Sequence, residues 1–143
     1  MPMAYALASH PDTPASTLEA LATDDHGFVR EAVARHLKTP VSALEGLASD
    51  PESLVRCAVA GNPSTTPATL AVLVTDTRRL VRQAVARNPN TPPATLEALA
   101  ADADWLVRQA VARNPNTPLA ALAADADEYA RGAGRLNSSQ GPP

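Results

Sequence analysis

Leucine, valine and alanine fall along this chain in a pattern that returns every 26 residues. Leu18, Leu44, Leu70 and Leu96 keep that spacing, and so do Val29, Val55, Val81 and Val107. Polar positions share the register: Asp24, Asp50, Asp76 and Asp102, and the arginine after each of those valines, Arg30, Arg56, Arg82 and Arg108. Within a unit, Leu18, Leu21 and Ala22 make one stripe of helical period, and Phe28, Val29, Ala32 and Val33 make a second. Each stripe predicts an amphipathic helix with that face buried. Neither short helix can bury its stripe alone, so units must stack into a one-dimensional core. The expectation is an all-α solenoid of about four two-helix repeats. With packed helices ~9 Å apart, four units span roughly 35–40 Å.

Helix boundaries come from caps. Thr39-Pro40 reads as an N-cap hydroxyl followed by a proline at the first helical position, where its missing N–H is harmless. Thr13-Pro14, Thr91-Pro92 and Thr117-Pro118 repeat the device, and in the third unit it slips to Thr66-Pro67. The aspartate column reads as the cap of the second helix, with Asp50-Pro51 the clearest case. These starts predict helices over about 14–23 and 25–35, with later copies 26 residues on. Asn88-Pro89 ends the second helix, because a residue before proline avoids the α region. Residues 3–10 match only the second half of a unit. The run from Leu119 to Arg131 reads as a decayed terminal unit acting as a cap. The expected organisation is one helical-repeat domain over 1–136 and a disordered tail over 137–143.

Composition narrows the functions. Only 3% of the residues are aromatic, so the core must be Leu, Val and Ala. A net charge of -3 weighs against a general nucleic-acid binder. The lone Cys57 makes no internal disulfide and no all-Cys metal site. No stretch of 18 apolar residues predicts a membrane span, and residues 1–9 lack a secretory pattern. A cytoplasmic protein is expected. Eleven of the 12 basic residues are Arg, the other being Lys38, which with the Ala and Pro content points to a GC-rich bacterial genome.

The run Val-Arg-x-Ala-Val-Ala-x-Asn-Pro-x-Thr-Pro, whole at Val81–Pro92 and Val107–Pro118, continues into Leu-x-x-Leu-Ala-x-Asp at Leu96–Asp102. On these residues the chain resembles the leucine-rich repeat variant family over about residues 3–131. The resemblance implies a right-handed superhelix of alternating α- and 3₁₀-helices, so that one helix of each unit would be partly 3₁₀. It implies interaction and supplies no catalytic residues. A member of that family carries an iron–sulfur cluster on a cysteine-rich segment. Cys57 alone cannot replace the four thiolates such a cluster takes, so no cofactor or metal is expected here.

Candidate chemistry lies in the columns. The ladder Arg30, Arg56, Arg82 and Arg108 has two readings. It is a row of anion sockets for phosphates or an acidic peptide, or each Arg is a structural part reaching the next unit's Asp or a helix carbonyl. Arg35, Arg87 and Arg113 form a second column, broken by Gly61. The Asp column is read as caps, since single carboxylates about 9 Å apart do not converge on a metal. Asn62, Asn88 and Asn114 read as a hydrogen-bond ladder, with His36 and His10 in the same place and His26 in a surface turn. Cys57 sits beside the Arg column and has two readings, a thiol of lowered pKa or, as the preferred one, an ordinary surface or half-buried thiol. No nucleophile triad, phosphate loop or Cys-x-x-Cys occurs, so no enzyme is expected.

The columns that change between units are 25–27, 51–53, 77–79 and 103–105. A scaffold keeps its shape with repeated columns and varies its binding edge. Trp105, Arg78, Arg79, Asp104 and Glu52 are therefore the candidate partner-binding residues, Trp and Arg being favoured at interface hot spots. Trp105 has a second reading, as a lid over the core edge. The expected function is protein–protein interaction, with phosphate or nucleic-acid binding through the Arg ladder as the alternative.

Overall fold

The structure, a computed structural model, describes residues 2–123. The expected disordered tail and the part of the terminal cap beyond residue 123 lie outside the described residues. The chain opens with α1 (Pro2–Ser9). Short and long helices then alternate: α2 (Ala15–Leu21), α3 (Gly27–Arg35), α4 (Val41–Leu47), α5 (Ser53–Gly61), α6 (Pro67–Leu73), α7 (Arg79–Arg87), α8 (Pro93–Leu99) and α9 (Trp105–Arg113). Helix resumes over residues 119–123, and no strand occurs among the described residues.

The solenoid is held by its long helices. α1, α3, α5, α7 and α9 pack each on the next, and every short helix bridges the long helix before it and the one after. A single buried cluster runs through the stack, with Leu18, Leu44, Leu70 and Leu96 from the short helices meeting the Val29, Val55, Val81 and Val107 column. Contacts reach only nearest neighbours, as a stacked repeat requires. α1 is the half unit expected from residues 3–10: Ala8 is fully buried against α3, while Leu7 lies exposed.

Several local expectations change. Both helices of each unit are α-helical, and i→i+3 bonds appear at helix ends and in the turns between helices, among them the ends of the short one. There Asp24, Asp50, Asp76 and Asp102 each close an i→i+3 bond to Leu21, Leu47, Leu73 and Leu99. The column threonines are not N-caps of the short helices. Thr39, Thr65 and Thr91 instead donate backwards to the carbonyls of Val33, Val59 and Val85 at 2.5–2.6 Å, sealing the last turn of the long helix they follow. Thr13 and Thr117 do the same to Leu7 and Val111. The slipped pair Thr66-Pro67 caps α6 as expected. Thr65 holds the structural column, while Thr66 is a true cap, accepting from the Thr69 N–H at 3.3 Å.

The aspartates likewise stand before the long helices rather than at their caps. Each accepts the N–H two residues on, from His26, Glu52, Arg78 and Asp104, at 2.9 Å. The side chain thus folds a tight turn, and the helix begins one residue after that donor. Phe28, expected in the buried stripe, is 43% exposed.

Asparagine joins consecutive units as expected. Asn88 Nδ2 donates to the Ala60 and Asn62 carbonyls at 2.7 and 3.0 Å, and its Oδ1 accepts from the Asn90 N–H at 2.8 Å. Asn62 and Asn114 repeat these bonds one unit earlier and later. His36 imitates them: Nε2 meets the His10 carbonyl at 2.7 Å and Nδ1 accepts from the Lys38 N–H at 3.0 Å. That pairing assigns the ring proton to Nε2. Among the described residues no buried side-chain nitrogen or oxygen lacks a partner.

Candidate functional site

Each long helix leaves one side uncovered. At 100° per residue, positions 27, 31, 35 and 28 of α3 and their copies fall within an arc of about 100°, opposite the buried valines. Successive units lay these positions side by side, so α3, α5, α7 and α9 present one face built of four columns. The first column is Gly27, Ser53, Arg79 and Trp105; the second is Phe28, Leu54, Leu80 and Leu106. The third, Glu31, Cys57, Gln83 and Gln109, lies sunk between helices, and the fourth is Arg35, Gly61, Arg87 and Arg113.

The variable corner borders this face. Trp105 opens α9 and is 41% exposed. Arg79 opens α7, and its Nη1 reaches Asp104 Oδ2 across the unit boundary at 3.4 Å. Asp104 is a genuine helix cap, its Oδ1 accepting from the Leu106 N–H at 2.8 Å. Burial pushes the Asp104 carboxyl up, but the Leu106 N–H and Arg79 outweigh it and hold it below its ordinary value. Glu52 lays its stem over Gly27: a Cβ added there would stand 3.2 Å from the Glu52 Cγ. Arg78 is exposed on the same corner. The structure therefore brings Trp105, Arg79 and Asp104 together, with Arg78 on the same side and Glu52 one unit away.

The arginine ladder points elsewhere. Arg30 Nε and Nη2 donate to the two oxygens of Asp50 at 2.7 and 3.2 Å, and Nη1 donates to the Asp24 carbonyl at 2.8 Å. Arg56 holds Asp76 and the Asp50 carbonyl in the same way, and Arg82 holds Asp102 and the Asp76 carbonyl. Each guanidinium so clamps its own corner to the carboxylate of the following unit. These bidentate hydrogen bonds raise the pKa of all three arginines above the ordinary value, against the opposing effect of burial. Arg108 donates to the Asp102 and Ala103 carbonyls at 2.7 and 3.2 Å. Asp24 has no arginine before it, since position 4 is Ala4, and His26 Nδ1 stands 3.0 Å from its Oδ1 instead.

Sequence reasoning missed the second column. Leu54 and Leu80 are 58% and 56% exposed, an apolar row that helical period alone assigns to the core. Cys57 is the half-buried thiol of the preferred reading. Burial raises its pKa, and the lowering influence of the Arg35 charge is the smaller effect. Its Sγ lies 3.6 Å from the Leu80 carbonyl. Among the described residues no group of three or more His, Cys, Asp or Glu side chains forms a metal-binding cluster. No described helix is long and apolar enough to cross a membrane.

The fold and this face define a helical-repeat solenoid whose repeated polar residues join its units. The family model described as leucine rich repeat variant matches residues 27–52, 79–104 and 105–127, more than half of the chain, and the chain belongs to that family. Comparison with curated proteins and with solved structures gives no match.

Proposed function

We propose that the chain is a non-catalytic scaffold that binds another protein through the open side of its long helices and the corner beside it. One observation carries this reading. The recurring Arg, Asp, Asn and Thr columns are engaged in bonds within and between units, while the columns that vary stand exposed. Trp105, Arg79 and Asp104 form the densest group on that corner, with Arg78 and Glu52 as neighbouring contacts. A half-exposed Trp beside Arg is the chemistry that anchors interfaces. The clamping of Arg30, Arg56 and Arg82 by aspartates weighs against a phosphate or nucleic-acid ladder, since each charge is already paired with a carboxylate and all three nitrogens are engaged.

The test compares wild type with the Trp105→Ala, Arg79→Ala double variant in quantitative affinity capture from native lysate, with circular dichroism as the control. A bound protein is expected to lose more than ~2 kcal/mol of affinity with helicity unchanged. Binding that survives the double variant but collapses in Arg56→Ala, with helicity kept, would return the ladder to consideration.

A further inference from the structure

Gly61 is out of place by every structural measure. It ends α5 in the column that holds Arg35, Arg87 and Arg113 at the same point of α3, α7 and α9. No positive φ requires glycine there, and an added Cβ would meet nothing within 4 Å. Neither packing nor backbone conformation therefore requires glycine at this last position of α5. Gly61 borders a hollow of about 420 Å³ between α5 and α7. Its apolar lining includes Cys57, Ala58, Leu80 and Ala84, and Arg35 and Arg87 stand at its two sides. A second hollow of about 410 Å³ continues it along the same two helices toward Arg79.

We infer that this groove is a peptide-binding site, which takes an extended segment of a partner protein with an apolar side chain in the hollow and acidic residues on both sides. The inference rests on the scaffold reading above and names the chemistry of its partner. Charge complementarity selects the acidic flanks: Arg35, Arg87 and Arg113 are exposed on this face, and the only carboxylate in its four columns is Glu31, 2.7 Å from Arg35. With helices about 9 Å apart, positions 35 and 87 are roughly 18 Å apart. An extended chain rising about 3.3 Å per residue covers that distance in about five residues. The hollow has no aromatic platform on which a nucleic-acid base would stack, which favours a peptide over a single strand.

Gly61→Arg separates this site from a simple positive surface. The variant adds a cation, which strengthens any purely electrostatic attraction, and at the same time puts a long side chain on the rim of the hollow. The probe is a phage-displayed library of random twelve-residue peptides selected on the full chain. Enriched peptides are expected to carry an apolar residue between Asp or Glu residues. A fluorescein-labelled copy is expected to bind Gly61→Arg at least tenfold more weakly, while Gly61→Ala keeps most of the affinity. Circular dichroism and the thermal midpoint establish that both variants fold. Equal or tighter binding to Gly61→Arg overturns the site. Peptides that ignore Gly61→Arg but lose affinity in the Trp105→Ala, Arg79→Ala variant overturn it and leave the scaffold reading standing. A selection without enrichment counts against both.

Discussion

Arg56 holds both carboxylate oxygens of Asp76, at 2.7 and 3.3 Å, across a boundary between repeats. Its third nitrogen holds the Asp50 carbonyl at 2.7 Å. Asp50 in turn receives Arg30, and Asp102 receives Arg82, so one device is used at three successive junctions. Each pair is largely shielded, and the guanidinium fork is filled by one carboxylate and one carbonyl. A lysine ammonium is a compact point charge without the planar fork that matches a carboxylate's two oxygens.

Asp76→Ala should therefore destabilise the chain by about 2–4 kcal/mol, more than the loss of a helix cap, because it strands a shielded guanidinium. Arg56→Lys should also destabilise, by a smaller amount, since the charge survives and the fork does not. Urea denaturation followed by circular dichroism measures both. A midpoint unchanged in Asp76→Ala would show that the clamp adds nothing to stability.

Acid should act through the same carboxylate. Burial pushes the Asp76 carboxyl up, but hydrogen bonds from Arg56 and the Arg78 N–H overcome it, and the net pKa is lowered. A lowered carboxyl pKa contributes stability that is complete above the ordinary Asp value of about 3.9 and is lost as pH falls through the folded-state value. The gap in thermal midpoint between wild type and Asp76→Asn should stay constant near neutral pH and narrow below about pH 4. A gap that widens on acidification contradicts this sign.

Asn88→Leu should destabilise by at least about 2 kcal/mol, because two buried carbonyls of the preceding unit and the part-buried Asn90 N–H lose a partner. His36→Asn should retain or raise stability, since asparagine makes the same bonds at Asn62, Asn88 and Asn114. Denaturation midpoints of the two variants check the pair. A His36→Asn protein as damaged as Asn88→Leu would mean that the ring is needed for something other than the ladder.

Gly61→Ala should stabilise α5 by about 0.5–1 kcal/mol, as its Cβ enters open space and the unfolded chain loses freedom. Gly27→Ala should do less well, because its Cβ meets the Glu52 stem at 3.2 Å. Thermal midpoints of the two single variants decide the comparison.

Much of the fold was legible because a solenoid core is local. Leu44 and Val55 pack within and next to their own unit, so the 26-residue period of apolar positions directly records the stacking. The same locality made the Asn column readable as a ladder. What the linear pattern could not assign was the destination of side chains with two possible partners. Thr39 before Pro40 is equally a cap for the helix ahead or a donor to the helix behind, and only the folded turn, which brings Val33 O within 2.6 Å, decides. Asp76 is a turn-former by its neighbours, but becomes Arg56's counter-ion only when two units stack. The open face was hidden for a related reason. Phe28, Leu54 and Leu80 lie at the margin of the apolar arc, and whether such a margin is buried depends on how closely the neighbouring long helices approach, not on period. The sequence by itself thus determined the repeat, its two helices and its core, which follow from spacing. Tertiary structure decided where each Thr, Arg and Asp points and which columns remain open, because those depend on distances between units that no single unit contains.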